Sequence, residues 1–319
     1  MRRWMVARVK VAILDDYQNV ALQMADWSAV AERADITVFN DHVSDPDRLV
    51  ARLAPFDIVF VMRERTPLPR NIIERLPKLR MIASTGPFNA SVDMAAAEEH
   101  GIHVGTTGGT VASTVELTWA LILAGARNLV AESLSVRDGG WQTSVGRELA
   151  GRTLGILGLG RIGSRVARIG EAFGMTVIAW SQNLTPEAAA EAGASHVTRD
   201  ELFASSDVLT IHLKLSERST GIVGAAELAL MKPTALLVNT SRGPIVDEAA
   251  LVDALRARAI RGAALDVFDT EPLPPDHPLR GLDNVLATPH IGYVADRPYR
   301  IFFRDAVAAI SDWLDTNSQ

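Results

Sequence analysis

Short apolar runs rich in Val and Ile recur along the chain and alternate with amphipathic stretches of helix length, the pattern that a parallel sheet with crossover helices requires. In the first third of the sequence these runs predict strands at Val9–Leu14, Asp35–Phe39, Ile58–Met62, Met81–Ala83 and Ile102–Val104, with helices over Pro46–Leu53 and Asn71–Leu76. Gly105-Thr106-Thr107-Gly108-Gly109 is a breaker cluster, and Ala112–Leu129 after it has the length and apolar content of a buried helix. A second alternating series runs from Thr153 to about Leu286, and Val294–Leu314 reads as a last helix despite Pro298. The expected class is α/β with parallel sheets, a domain boundary near residue 108, and a final helix that returns to the first domain.

The 319 residues correspond to roughly two domains at about 150 residues each. A content of 48% hydrophobic and 22% charged residues is ordinary globular usage and excludes a disordered chain. The longest apolar stretch, Leu117–Ala126, is interrupted by Thr118 and closed by Arg127, short of the roughly 20 residues a bilayer span needs. Arg8, Lys10, Asp15 and Asp16 break up any apolar core of a signal peptide behind Arg2 and Arg3. With no cysteine, disulfides, thiolate metal sites and a cysteine nucleophile are excluded, and a reducing, cytoplasmic setting is expected. The net charge of −6 with no basic block argues against a nucleic-acid partner and for a small-molecule ligand.

Candidate chemistry begins at Leu154-Gly155-Ile156-Leu157, a strand followed at once by Gly158-Leu159-Gly160-Arg161-Ile162-Gly163 and then by a helix with apolar positions at Ile162, Val166, Ile169 and Phe173 and a capping Gly174. Strand, glycine turn and helix in this order fit dinucleotide binding. Gly158 permits the tight turn, Gly160 lets backbone amides reach a pyrophosphate, and Gly163 allows the helix to approach the strand. The next strand, Thr176–Trp180, delivers the group that reads the adenosine ribose. An acidic residue there selects NAD and a nearby arginine favours NADP, but the chain has Ser181, Gln182 and Asn183. Either cofactor form is compatible, with NAD slightly favoured.

Three further segments, Asn239-Thr240-Ser241-Arg242-Gly243, Asp266-Val267-Phe268-Asp269-Thr270-Glu271-Pro272 and Thr288-Pro289-His290-Ile291-Gly292, join the glycine turn in an order that resembles the D-isomer-specific 2-hydroxyacid dehydrogenases over nearly the whole chain. The resemblance implies a flavodoxin-like substrate domain, 1–108 with 293–319, into which a Rossmann cofactor domain, 109–292, is inserted. It implies hydride transfer between NAD or NADP and a small D-2-hydroxy acid or its 2-oxo partner, commonly in a homodimer joined through the cofactor domain, for which Leu117–Ala126 is a candidate surface. By motif, Arg242 binds the substrate carboxylate and carbonyl oxygen, His290 is the acid/base, and Glu271 pairs with His290. The cofactor set comprises Gly158, Gly160, Arg161, Ile162, Gly163, Ser181, Thr240 and Asp266, the last expected at the nicotinamide carboxamide.

The residue types suit these roles. Histidine exchanges a proton near neutral pH, a neighbouring carboxylate orients the ring and favours imidazolium, and guanidinium offers a carboxylate a planar fork. The other histidines, His42, His100, His103, His196, His212 and His277, form no metal-ligand spacing, so no metal is expected. His212 resembles a family position beside the adenosine and reads more simply as structural.

The chain departs from the family pattern at Ser84-Thr85-Gly86-Pro87-Phe88-Asn89, where backbone amides usually hold the substrate carboxylate. Pro87 has no amide hydrogen, Phe88 narrows the approach, the backbone amides of Phe88 and Asn89 remain on offer, and the Asn89 side chain is expected as an added donor. Arg63 matches a position where some members meet an anionic substrate group. The regulatory module that some phosphoglycerate dehydrogenases append is expected to be missing. Two alternatives stay open: a formate- or phosphite-type dehydrogenase on the same fold, and a non-catalytic NAD-sensing binding protein or co-repressor.

Overall fold

The computed structural model describes residues 8–317. The chain forms two compact units: one runs up to Thr110 and resumes at Asp296, and the other is Val111–Ala295. The second is therefore inserted into the first.

The first unit holds a five-stranded parallel sheet of β1 (Val9–Ile13), β2 (Ala34–Val38), β3 (Ile58–Val61), β4 (Met81–Ser84) and β5 (His103–Thr106), in the order β2-β1-β3-β4-β5. This is the flavodoxin-like arrangement, whose order reverses between β1 and β3. One face packs Ala12, Val59, Val61 and Ile82 against the helix residues Leu49, Leu53, Ile72 and Ala96. The other is covered by the last helix, Asp296–Asn317, whose Phe303 stacks on Phe60 with ring centroids 5.1 Å apart. Pro298 is tolerated because it falls in the first turn, where its missing N–H has no intrahelical acceptor.

The second unit contains β6 (Thr153–Leu157), β7 (Thr176–Trp180), β8 (Ser195–His196), β9 (Val208–Ile211), β10 (Leu236–Asn239), β11 (Gly262–Leu265) and β12 (Val285–Ala287), all parallel. Their order, β12-β11-β10-β9-β6-β7-β8, reverses between β6 and β9 as in a Rossmann fold. Neighbouring residues of a strand feed opposite cores: Leu157, Leu209 and Leu237 enter one, Ile156, Val208 and Val238 the other. Burial on both faces explains why these strands read as uninterrupted apolar runs.

Several expected boundaries move. The helix expected over Ala112–Leu129 ends at Arg127, because Asn128 turns left-handed (φ 53°) and a separate helix, Leu129–Arg137, follows. The Asn71–Leu76 helix is a single turn at Arg70–Ile73. The last helix starts at Asp296, not Val294, and extends to Asn317. In the helix after the glycine turn, Gly163–Ala172, the buried stripe is Gly163, Val166, Ala167 and Gly170, whereas Phe173 is 39% exposed and stacks on Trp119. Close approach to the sheet selects the small residues: a Cβ on Gly170 would lie 2.6 Å from Leu154. No described helix is long and apolar enough to cross a membrane.

Candidate active site

All strands of the second unit run parallel, so their C-terminal ends lie on one side, and the glycine turn follows β6, beside the point where the strand order reverses. Gly158 has φ +101°, and a Cβ on it would meet the His212 backbone at 2.8 Å. A Cβ on Gly163 would collide with the Gly158 carbonyl. Around Gly160 nothing lies within 4 Å of the corresponding position. Two glycines thus close the protein on itself while the third keeps one side of the turn open, at the positive N-terminal end of the helix that starts at Gly163. A dinucleotide pyrophosphate fits this cradle. At the end of β7, Ser181 begins a turn closed by the bond from Leu184 N to its carbonyl (3.0 Å).

Arg242 follows β10. The Asn239 amide donates to the Arg242 carbonyl (2.9 Å) and its oxygen accepts from Ser241 N (3.0 Å), which ties the turn; Arg242 Nη1 donates to the Ser241 carbonyl (2.7 Å). The Thr240 hydroxyl, expected in the cofactor set, is buried against Thr118 Oγ1 at 2.9 Å. Gly243 presses against the Phe268 backbone, where any Cβ would clash, so the arginine turn and the loop after β11 are in direct contact.

Glu271 lies in that loop. One carboxylate oxygen accepts from Phe268 N (3.0 Å) and the other is 2.6 Å from His290 Nδ1. The pairing at Nδ1 orients the ring and leaves Nε2 as its second exchangeable position. His290 adopts a left-handed backbone (φ 51°) and its ring meets Tyr293 edge-on at 5.4 Å.

Asp266, expected at the nicotinamide carboxamide, is tied into its own loop. It is wholly buried, and its oxygens accept from Thr288 Oγ1 (2.6 Å), Ile291 N (2.8 Å) and Gly292 N (2.8 Å). Its carboxyl is pushed up by burial, against these bonds and the nearby His290. It fastens the strap that carries His290. Thr288, the hydroxyl partner in that strap, opens the His290 motif but was given no role of its own from the sequence.

His212, at the end of β9, is held neutral: burial pulls its pKa down to about 3. Its Nε2 lies 3.0 Å from Thr210 Oγ1, and its Nδ1 is buried without a hydrogen-bond partner among the described residues.

The first unit places Arg63, Phe88 and Asn89 at the ends of β3 and β4. Arg63 is left-handed (φ 52°), its amide donates to Thr85 Oγ1 (2.7 Å), and its guanidinium lies across Gly86 and donates to the Thr85 carbonyl (3.1 Å). Phe88 is 56% exposed. The Asn89 side chain is not available for its expected role as an added donor. Its amide already donates to the Arg63 carbonyl (2.7 Å) and Ser84 Oγ (3.0 Å), its oxygen accepts from Ser91 N (2.9 Å), and it is 6% exposed.

A parallel sheet with a glycine-cradled helix terminus, and a carboxylate–imidazole pair beyond the same strand ends, define a dinucleotide-dependent oxidoreductase. Residues 119–292 match the NAD-binding domain of D-isomer specific 2-hydroxyacid dehydrogenases. The chain is 42% identical over 267 residues to a glyoxylate reductase of Aeropyrum pernix, which covers 80% of this chain and 79% of that one. It is 40% identical over 250 residues to a D-3-phosphoglycerate dehydrogenase of Methanocaldococcus jannaschii, 77% of this chain and only 47% of that relative, so it spans about half of the longer enzyme. A phosphoglycerate oxidoreductase structure from Vibrio cholerae superposes with a TM-score of 0.92 at 40% identity, covering 97% of this chain and 99% of that one. The chain belongs to the D-isomer-specific 2-hydroxyacid dehydrogenase family. It is an oxidoreductase acting on a CH–OH group with NAD or NADP.

Proposed function

We propose that this enzyme reduces small 2-oxo acids, glyoxylate and hydroxypyruvate foremost, to D-2-hydroxy acids, with Arg242, Glu271 and His290 as its catalytic set. The observation that carries the reading is the 2.6 Å contact between His290 Nδ1 and Glu271 Oε2. The bound cofactor supplies a hydride to the carbonyl carbon. His290, protonated and oriented by Glu271, gives the proton on Nε2 to the carbonyl oxygen; in oxidation the neutral ring takes it back. Arg242 holds the carboxylate through its planar fork. The backbone of Gly158, Gly160, Arg161, Ile162 and Gly163, with Ser181 and the Thr240 turn, holds the dinucleotide, NADH modestly ahead of NADPH. Asp266 acts as a positioning residue. Phe88, exposed at the end of β4, and Arg63 are the residues of the first unit assigned to substrate binding.

A homodimer through the second unit belongs to this reading, but not through Leu117–Ala126. There Thr118, Trp119, Leu121, Ile122 and Ala126 are buried inside their own unit. The apolar surface lies just beyond, where Leu129, Val130, Leu134, Val136, Trp141 and Val145 are all exposed. A cytoplasmic location fits the cysteine-free composition. A panel of 2-oxo acids assayed with NADH and with NADPH tests the function: activity confined to glyoxylate and hydroxypyruvate supports it, and failure of every 2-oxo acid sinks it.

A further inference from the structure

Glu248 opens the helix Glu248–Arg256, shortly after the turn Gly243–Ile245 that follows Arg242. One of its carboxylate oxygens lies 2.9 Å from His277 Nε2 and the other accepts from the Asp269 amide at 3.3 Å. Asp269 and His277 stand on either side of Glu271 in the loop after β11. Leu279 N donates to His277 Nδ1 (3.3 Å), so the ring proton sits on Nε2 and is directed at Glu248. Glu248 and His277 are both largely shielded from solvent, with side-chain exposures of 22% and 16%, so water competes little for these bonds.

The other charged groups of this cluster act locally. Asp247 caps its own helix at Ala250 N (3.0 Å), and Arg280 donates to the Leu273 and Pro274 carbonyls. The Asp269 carboxyl is pushed up by burial first, then by the charges of Glu248 and Asp247, with His277 opposing. From the segment that carries Arg242, Glu248 bonds to both flanks of Glu271. The packing of Gly243 on Phe268 makes the second link between the same two segments.

We propose that Glu248 is a positioning residue of the dehydrogenase reaction: by clamping Asp269 and His277 it fixes the Glu271 loop against the Arg242 turn and thereby sets Glu271 on His290. The proposal rests on the roles assigned above to Arg242, Glu271 and His290. Its chemistry is one of register, because a displacement of about 1 Å between reacting groups can cost on the order of 10²-fold in rate.

The test compares Glu248→Ala and Glu248→Gln with wild type in kcat, KM, the pH dependence of kcat/KM, NADH affinity by fluorescence, and Tm. Glu248→Ala is expected to lower kcat by about 10- to 100-fold and to change the pH dependence of kcat/KM, with NADH affinity within about twofold. Glu248→Gln, which can still accept one of the two bonds, should recover part of the rate. A folded Glu248→Ala enzyme with the wild-type pH profile and kcat, whatever its Tm, overturns the proposal. Should that variant not fold, His277→Ala decides by the same readouts: a smaller shift in the same direction supports the clamp, and none overturns it. A wild type indifferent to His290→Asn would instead remove the reading of the site on which the clamp rests.

Discussion

Glu271 holds His290 through one carboxylate oxygen and its own loop through the other, at 2.6 Å from His290 Nδ1 and 3.0 Å from Phe268 N. The carboxylate is therefore fixed before any substrate arrives. His290→Asn should lose about 10²–10⁴-fold in kcat, the usual contribution of a positioned acid/base, while NADH still binds. Glu271→Gln should lose less, since the amide keeps part of the contact that orients the ring. Arg242→Ala should depress kcat/KM severely, because binding and orientation both depend on it. Steady-state kinetics across pH for the three variants, with cofactor binding measured separately, checks these roles, and a near-normal kcat in His290→Asn refutes them.

Phe88 is exposed, whereas its neighbour Asn89 is locked in place. Phe88→Gly should therefore widen the substrate range without unfolding the loop. The informative quantity is the ratio of kcat/KM for phenylpyruvate and glyoxylate. It should rise in the variant; a wild type that already prefers phenylpyruvate, with no change on substitution, would show that the ring only packs.

Ser181 leaves the ribose site without a carboxylate to repel a 2′-phosphate. NADH and NADPH should be discriminated weakly, and Ser181→Asp should sharpen the preference for NADH. Paired titrations with the two cofactors measure it. A wild-type preference above about 10³-fold, roughly 4 kcal/mol, contradicts this account of the turn.

His212 gives a pH dependence of known sign. Its folded pKa lies near 3, below its ordinary 6.5, so its contribution to stability is complete above 6.5 and is lost as pH falls from there toward 3. The limiting slope is about 1.4 kcal/mol per pH unit. Denaturation midpoints taken from pH 7 to 4 should fall more steeply in wild type than in His212→Gln. Identical slopes would mean that the ring is not held neutral.

The exposed side chains of Trp141 and Val145 provide the test of assembly. Trp141→Glu with Val145→Glu should convert a dimer to a monomer in sedimentation, with far-UV circular dichroism unchanged. A wild type that sediments as a monomer at every concentration removes the homodimer from the reading.

The two sheets were legible because strands covered on both faces leave apolar runs that polar interruptions cannot hide. The helix end at Arg127 was not, since the cap is an asparagine whose left-handed turn looks in sequence like any other asparagine. At the site, Arg242, Glu271 and His290 stood out through their motifs, and the pairing of the last two has the expected geometry. The hidden part is which distant neighbours take up a residue's polar groups. Asn89 gives its amide to the Arg63 carbonyl and Asp266 gives its oxygens to the Thr288–Gly292 strap, partnerships that exist only once the chain has folded. Phe173 follows helical spacing but yields the buried stripe to glycines, because the helix lies too close to the sheet for a large ring.

The stack of Phe303 on Phe60 has a consequence for biosynthesis. One face of the first sheet is closed by a helix that leaves the ribosome only after the whole inserted unit has been made. At about 5–20 residues per second, Phe60 waits on the order of ten seconds or more for its partner. During that interval the inserted unit has all of its own strands and can fold first, whereas the older part of the chain must keep an apolar surface unsatisfied. Aggregation during synthesis, and demand for a chaperone, should therefore concentrate on the segment translated earliest.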